Sequence, residues 1–176
     1  MVSADQMNSE GIRLSQSGKY DKALLAFNTA LEMEPANPRI IYNMALVFIR
    51  KEDYATAQEL LIKAIDLEPE EGDFHNDLGL CYYRSGKKDE ALAEYDRALE
   101  LNPTHSTAWN NRGVYYFQKE DYPRAEECFR TSVNLNPDWE DSWFNLRDTY
   151  EMLGERKKWK EAHKRYRELS RNGRKS

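Results

Sequence analysis

Long apolar runs are absent from this 176-residue chain. The longest stretch of aliphatic and aromatic residues, from Ala45 to Ile49, is much shorter than the roughly 20 residues that cross a bilayer as a helix. The first residues, Met-Val-Ser-Ala-Asp-Gln, lack the basic start and the apolar stretch of a signal peptide. We therefore expect no membrane span and a cytoplasmic location.

Residues that carry chemistry are equally scarce. The two cysteines, Cys81 and Cys128, have no CxxC spacing, so we expect two reduced structural thiols. The three histidines, His75, His105 and His163, lie far apart and show no metal-ligand spacing. No glycine-rich phosphate loop follows a strand pattern. The sequence therefore predicts no catalytic residue, no metal site and no cofactor, and an enzyme is not expected.

What the sequence does contain is a period of 34 residues. Small residues recur at this spacing, bulky residues stand three or four positions after them, and prolines follow each second apolar stretch. This arrangement predicts a helix, a tight turn, a second helix and a break in every repeat, because small and large residues at helical spacing let two helices pack closely. The recurring small residues and prolines are Gly11, Ala45, Gly79 and Gly113; Ala23, Ala57, Ala91 and Ala125; Pro35, Pro69, Pro103 and Pro137.

These columns resemble the tetratricopeptide repeat (TPR) signature, W-x2-L-G-x2-Y, then A-x3-F, then A, then P. The resemblance implies an all-α, right-handed α-solenoid of antiparallel helix pairs, continuous as one domain. Its repeats would span residues 4–37, 38–71, 72–105 and 106–139, followed by a degenerate capping repeat at 140–169 and a basic tail at 170–176. The third repeat carries the signature in Leu78, Gly79, Tyr82, Ala91, Tyr95, Ala98 and Pro103.

The resemblance also implies a concave groove lined by the first helix of every repeat. One column of this surface is mostly carboxamides, which resemble the asparagine ladders that hold the backbone of an extended peptide, since an amide both donates and accepts hydrogen bonds. Neighbouring columns would supply an apolar floor and two cations for a ligand carboxylate. The predicted groove residues are Asn43, Asp77, Asn111 and Asn145; Leu46, Leu80, Val114, Ile49, Tyr83 and Phe117; Arg50 and Arg84.

Charge is divided unevenly along the chain. Residues 155–176 contain ten Lys or Arg and three Asp or Glu, whereas residues 1–154 contain sixteen and twenty-eight. The acidic part disfavours nucleic-acid binding, while the basic end could meet phosphate, an anionic membrane or the acidic surface of a second copy. Equally, the basic end could be only the solvated face of a capping helix.

Two functions remain open from the sequence. The first is a protein–protein interaction adaptor or scaffold that binds an extended or helical segment of a partner protein in the groove. The alternative is a self-associating assembly scaffold, hence a homo-oligomer, or a secretion-type chaperone that uses the basic C-terminal cap. Both are non-enzymatic, and the identity of the partner is not encoded in any motif.

Overall fold

Helices make up the regular structure of this protein. The computed structural model describes residues 2–173, which contain ten α-helices and no β-strand. The helices α1 with α2, α3 with α4, α7 with α8 and α9 with α10 pack as neighbouring pairs. Their bounds are α1 Ala4–Gln16, α2 Tyr20–Met33, α3 Pro38–Arg50, α4 Tyr54–Leu67, α5 Gly72–Arg84, α6 Lys88–Leu101, α7 Ser106–Gln118, α8 Tyr122–Leu135, α9 Glu140–Met152 and α10 Arg156–Gly173.

The helix starts repeat with the period of the sequence. The first helices begin at residues 4, 38, 72, 106 and 140, and the second helices begin at 20, 54, 88, 122 and 156. The described chain divides into two compact units, one ending at Glu94 and the other beginning at Tyr95. This boundary lies inside α6. The expected continuity of one solenoid domain across the boundary stays a prediction.

An aromatic ring against a glycine holds two of the helix pairs together. A Cβ atom built on Gly11 would lie 2.5 Å from the ring of Phe27, and one on Gly113 would lie 2.6 Å from the ring of Phe129. In the α3–α4 pair the same two columns hold Ala45 and the smaller Leu61, which share one buried cluster. The residue pairs therefore compensate in volume, because a larger residue in one column requires a smaller one in the other.

This compensation predicts a double-mutant result. The substitution Gly113→Ala should destabilise the protein by about 1–3 kcal/mol, because the added methyl group collides with the Phe129 ring. Adding Phe129→Leu, which recreates the alanine and leucine combination of the second repeat, should recover at least about 1 kcal/mol relative to the sum of the two single variants. Urea unfolding followed by circular dichroism measures all four proteins, and strictly additive effects would contradict the volume argument.

The turns between paired helices contain a left-handed residue at a fixed position. The residue is glycine in three turns, where φ is +72° at Gly18, +82° at Gly86 and +72° at Gly154, but it is glutamate at Glu52 and Glu120, where φ is 60° and 61°. A side chain at this φ costs about 1 kcal/mol or more. The backbone is therefore strained in the second and fourth repeats.

The residue that follows this position offsets part of the strain. In the two glutamate turns it is aspartate, and the side chains of Asp53 and Asp121 accept hydrogen bonds from the backbone N–H groups of Thr56 and Arg124. In the first turn it is Lys19, whose side chain makes no capping bond. Since an N-cap contributes about 1 kcal/mol, the two turns capped by aspartate tolerate glutamate at the left-handed position, where the other turns have glycine.

Replacing the strained glutamate should stabilise the protein. We expect Glu120→Gly to raise the free energy of unfolding by about 0.5–1 kcal/mol, because the relief of the left-handed strain exceeds the added backbone entropy of glycine. Conversely, Gly18→Ala places a side chain at a left-handed residue and should lower the free energy of unfolding by a similar amount, although no atom lies within 4 Å of the new Cβ. Thermal or urea unfolding tests both variants, and a destabilising Glu120→Gly would show that the side chain makes a compensating contact.

His75 occupies the column that the family signature gives to tryptophan, and it makes the same hydrogen bond. The indole N–H groups of Trp109 and Trp143 donate to the carbonyl oxygen six residues earlier, at 2.9 and 2.8 Å. The Nε2 atom of His75 lies 3.2 Å from the carbonyl oxygen of Pro69, while Nδ1 lies 2.7 Å from a carboxylate oxygen of Glu94. His75 is therefore a packing residue, in agreement with its lack of metal-ligand spacing in the sequence.

The last helix pair packs differently from the others. Arg147 stands in the column of small residues, and its guanidinium lies 4.3 Å from the ring centre of Phe144 and 4.9 Å from that of Tyr166, with Asp148 as its ion-pair partner. A cation held between two rings thus replaces the close approach at glycine. This contact departs from the pattern of the other pairs, and the capping role of residues 140–169 stays a prediction.

Helix α10 is longer than the sequence indicated. We expected a tail from residue 170, but the helix continues to Gly173, because no proline or glycine interrupts it before that residue and its polar side chains permit helix. The remainder of the expected tail, residues 174–176, lies outside the described residues.

Candidate functional site

Hydrogen bonds join successive first helices in the first unit. The Nδ2 atom of Asn43 donates to Oδ1 of Asn8 at 2.9 Å, and the hydroxyl of Tyr42 donates to Oδ2 of Asp77 at 2.8 Å. In each bond the two residues are 35 positions apart, one repeat plus one residue. We call these contacts inter-repeat hydrogen bonds. They orient Asn43 and Asp77, two of the predicted groove residues.

The second unit contains the same bond and a buried polar chain behind it. The Nδ2 atom of Asn145 donates to Oδ1 of Asn110 at 2.9 Å, again over 35 positions. The Ser142 hydroxyl donates to the same Oδ1 atom at 3.1 Å and lies 2.9 Å from the Ser132 hydroxyl, which donates to the carbonyl oxygen of Ser106. Because Ser132 and Ser142 are fully buried, this chain fixes Asn110, and Asn110 in turn fixes Asn145.

The inter-repeat hydrogen bonds limit what the predicted ladder can offer a ligand. An asparagine side chain has two N–H donors and one carbonyl acceptor, and Asn43 and Asn145 each use one donor. Neither side chain makes a further hydrogen bond within residues 2–173, so each has a second N–H and a carbonyl oxygen that are not used there. The groups that hold them, Asn8 and Asn110, stand one column before the predicted column, so the helical pattern alone did not identify them.

Asp77 differs chemically from the asparagines of its column. Its Oδ2 atom accepts from Tyr42 and its Oδ1 atom accepts from Nδ2 of Asn76 at 3.0 Å. Burial, followed by the nearby Asp77 charge, raises the pKa of Tyr42, so the phenol stays protonated and remains a donor. Asp77 can only accept, and it therefore interrupts the ladder of carboxamides rather than extending it.

The two predicted groove arginines differ in whether a neighbouring side chain already binds the guanidinium. Arg50 donates from NH1 to the hydroxyl of Ser15 at 2.8 Å, which is another contact over 35 positions. Arg84 is exposed at the end of α5 and forms no ion pair with another described residue. A ligand carboxylate would therefore meet Arg84 without competition, whereas at Arg50 it would compete with Ser15.

The predicted apolar floor of the first unit is partly committed to the core. Leu46 and Leu80 are half-buried, and Ile49 packs against the cluster that contains Ala45. The hydroxyl of Tyr83 is buried and has no hydrogen-bond partner among the described residues, and burial raises its pKa. An unpaired buried hydroxyl is costly, so it marks a position at which a ligand could supply the missing partner.

In the second unit, three predicted residues line one cavity. Val114, Phe117 and Asn145 border a cavity of about 150 Å³. Phe129, Phe144, Gln118 and Asp148 complete its lining. Phe144 is 39% exposed, which leaves an aromatic face open beside the fixed carboxamide of Asn145. The cavity can take one apolar side chain next to a hydrogen-bonding group.

Asn111, the remaining predicted residue of this unit, is half-buried on α7.

Neither thiol is prepared for chemistry. Cys81 and Cys128 are buried and unpaired, and burial raises their pKa values to about 12 and about 11. Both are therefore protonated at neutral pH, in agreement with reduced structural thiols. Within residues 2–173, no group of His, Cys, Asp or Glu side chains could hold a metal ion, and no helix has the length and apolar character needed to cross a membrane.

Comparison with protein families identifies the repeat. A tetratricopeptide repeat profile matches residues 42–106 and 82–138, and a second TPR profile matches residues 11–51. The chain belongs to the tetratricopeptide repeat family. This assignment confirms the resemblance drawn from the 34-residue columns and the predicted all-α class of antiparallel helix pairs.

Solved structures of TPR proteins share the fold. MamA 41-end from Desulfovibrio magneticus RS-1 is 20% identical, with a TM-score of 0.78 and 96% of each chain covered. A MamA crystal structure is also 20% identical, with a TM-score of 0.77, over 94% of this chain and 97% of the other. YrrB, described as a TPR protein with an unusual peptide-binding site, is 24% identical, with a TM-score of 0.68, over 95% of this chain and 86% of the other.

Two tyrosines on the first helices give a matched test of the inter-repeat hydrogen bonds. Tyr42→Phe should destabilise the protein by about 1.5–3 kcal/mol, because the substitution removes a hydrogen bond to the carboxylate of Asp77. Tyr83→Phe should be neutral or stabilising by up to about 1 kcal/mol, because its hydroxyl has no partner to lose. Urea unfolding compares them, and equal losses of stability would refute the distinction.

Proposed function

We propose that this TPR protein is a non-enzymatic adaptor that binds an extended segment of a partner protein along its first helices. The observation that carries the proposal is the pair of inter-repeat hydrogen bonds that fix Asn43 and Asn145. Each bond orients a carboxamide before a ligand arrives, so binding does not have to restrict that side chain. Each carboxamide keeps one donor and one acceptor, the pair that a peptide main chain needs.

The apolar cavity of the second unit supports the same proposal. A main chain held at Asn145 could place one side chain against Val114, Phe117 and Phe144. Burial of such an anchor contributes more affinity than the hydrogen bonds, which add about 0.5–1.5 kcal/mol each. The carboxamides would then determine the direction and register of the segment, and the cavity would select its side chain.

Family membership favours an interaction module over an enzyme. TPR proteins are generally non-enzymatic protein-interaction modules, and YrrB, similar in fold, is described as having a peptide-binding site. Fold similarity by itself does not transfer a ligand, so the partner has to be found by experiment.

The proposal is tested by replacing the two oriented carboxamides together. Partners are first captured from native lysate on the wild-type chain, and the affinity of one identified partner segment is then measured by fluorescence anisotropy. Asn43→Ala with Asn145→Ala should weaken binding about tenfold or more, because a segment held by either unit loses its main-chain contact there. Circular dichroism should show unchanged helicity.

A matched control uses asparagines on second helices. Asn28 on α2 and Asn134 on α8 are both exposed, so Asn28→Ala with Asn134→Ala removes the same two groups from outside the proposed surface. This control should bind as the wild type does. Equal binding by the wild type and by the Asn43 and Asn145 double variant would exclude the first helices as the peptide-binding surface.

A further inference from the structure

The outer face of α10 carries a continuous row of cations. Lys157, Lys160, Lys164, Arg167 and Arg171 are all exposed, and they follow one another at spacings of three or four residues. At 100° per residue they fall within an arc of about 80°, and at 1.5 Å per residue they extend over about 21 Å. We call these five residues the α10 cationic row.

The row has no ion-pair partner in the part of the chain that the structure describes. None of its five side chains forms an ion pair with another described residue. The other basic residues of the helix behave differently, since Lys158 pairs with Glu126 and Arg165 pairs with Asp138. Helix α10 therefore carries two sets of cations. Lys158 and Arg165 form ion pairs with other residues of the second unit, and the five residues of the row face solvent.

Acidic residues offset the row only in part. Like charges three or four residues apart repel each other, but Glu161 and Glu168 stand three or four residues from Lys157, Lys164 and Arg171 and counter this repulsion within the helix. The row and these two flanking carboxylates still carry five positive charges against two negative ones. This local excess of positive charge favours an external anionic partner.

The composition of the row disfavours a protein partner. Protein interfaces are centred on aromatic and aliphatic anchors and are depleted in lysine, whereas three of these five residues are lysines. The aromatic residues of α10, Trp159 and Tyr166, are only half-exposed, and they lie on the side opposite the row or against α9. Nothing along the row could form the apolar centre of such an interface.

The shape of the row distinguishes between anionic surfaces. A flat surface touches a cylindrical helix along one line, and the five cations lie along such a line. A nucleic-acid groove would enclose the helix from both sides, and it would bring Glu161 and Glu168, which follow one edge of the row, towards phosphates. The row also lacks interleaved amide or hydroxyl side chains that could contact bases.

We propose that the α10 cationic row docks the protein on an anionic lipid surface. Docking is electrostatic and peripheral, because the apolar side of α10 packs against α9 and cannot enter the bilayer. The acidic residues of α9 oppose docking only weakly, because α9 packs behind α10, a helix is about 10 Å thick and the Debye length is about 8 Å at physiological ionic strength. The proposal does not depend on the peptide-binding function.

The test measures binding of the full chain to lipid vesicles. We expect sedimentation with vesicles of phosphatidylcholine containing one third phosphatidylserine at low salt, release at 0.5 M salt, and no binding to pure phosphatidylcholine. Lys157→Gln with Lys160→Gln and Lys164→Gln should lower the apparent affinity at least about tenfold. The same variant should unfold at nearly the same temperature, because none of the three lysines forms an ion pair with another described residue.

Two matched variants separate the row from charge in general. Lys19, Lys22 and Lys63 are exposed in the first unit, so their triple substitution with Gln changes the net charge equally and should leave binding unchanged. Replacing Lys157, Lys160 and Lys164 with Arg retains the charges and should retain binding. Equal loss of binding in the two Gln variants, or no loss in the α10 variant, would overturn the proposal.

Two further measurements address the competing partners. A DNA duplex of 20 base pairs at equal phosphate concentration should compete weakly with the vesicles, and stronger binding to the duplex would identify a nucleic-acid surface instead. Sedimentation velocity at low salt should show no oligomer that depends on Lys157, Lys160 and Lys164. An oligomer lost in that variant would assign the row to self-association and overturn lipid docking.

Discussion

The close contact between a ring and a glycine backbone is the constraint on which the rest of the structure depends. Where Phe27 covers Gly11 and Phe129 covers Gly113, no side chain fits between the paired helices. The two columns are therefore linked in volume, and the alanine and leucine of the second repeat show the other solution. Because the contact fixes the spacing within a pair, it also determines which residues of successive first helices can meet.

The inter-repeat hydrogen bonds follow from this regular spacing. A side chain in one column reaches the next column of the following first helix, which makes the separation 35 residues at Asn43, Asp77 and Asn145. Half-buried polar groups need partners, and a neighbouring repeat supplies them without any ligand. The same bonds that satisfy these groups also orient them, so packing between repeats and orientation of the proposed binding residues have one physical origin.

The sequence predicted those features that depend on backbone period. Helix starts, the positions of the prolines and the packing role of His75 all follow from residue size and hydrogen-bonding capacity along the chain. It did not predict which side chains pair across repeats, because periodicity identifies a face of a helix but not the rotamers on it. Nor did the pattern reveal that Arg147, in a column of small residues, lies between two rings. That contact depends on Tyr166, nineteen positions later in the sequence, and no column of the repeat relates them.

Charged side chains are arranged differently on the first helices and on the outer face of α10. On the first helices, Arg50 donates to Ser15 and Arg147 pairs with Asp148, whereas Arg84 forms no ion pair with another described residue. Pairing lowers the long-range field of a charge and leaves short-range hydrogen bonding and shape to discriminate between ligands. In the α10 cationic row, no side chain forms an ion pair with another described residue, and the fields of the five cations add, which favours attraction at a distance without selecting a particular arrangement of partner atoms. The two proposals therefore assign geometric selection to the first helices and electrostatic attraction to the α10 cationic row, and substitutions can alter either surface without disturbing the ring and glycine contacts that hold the repeats together.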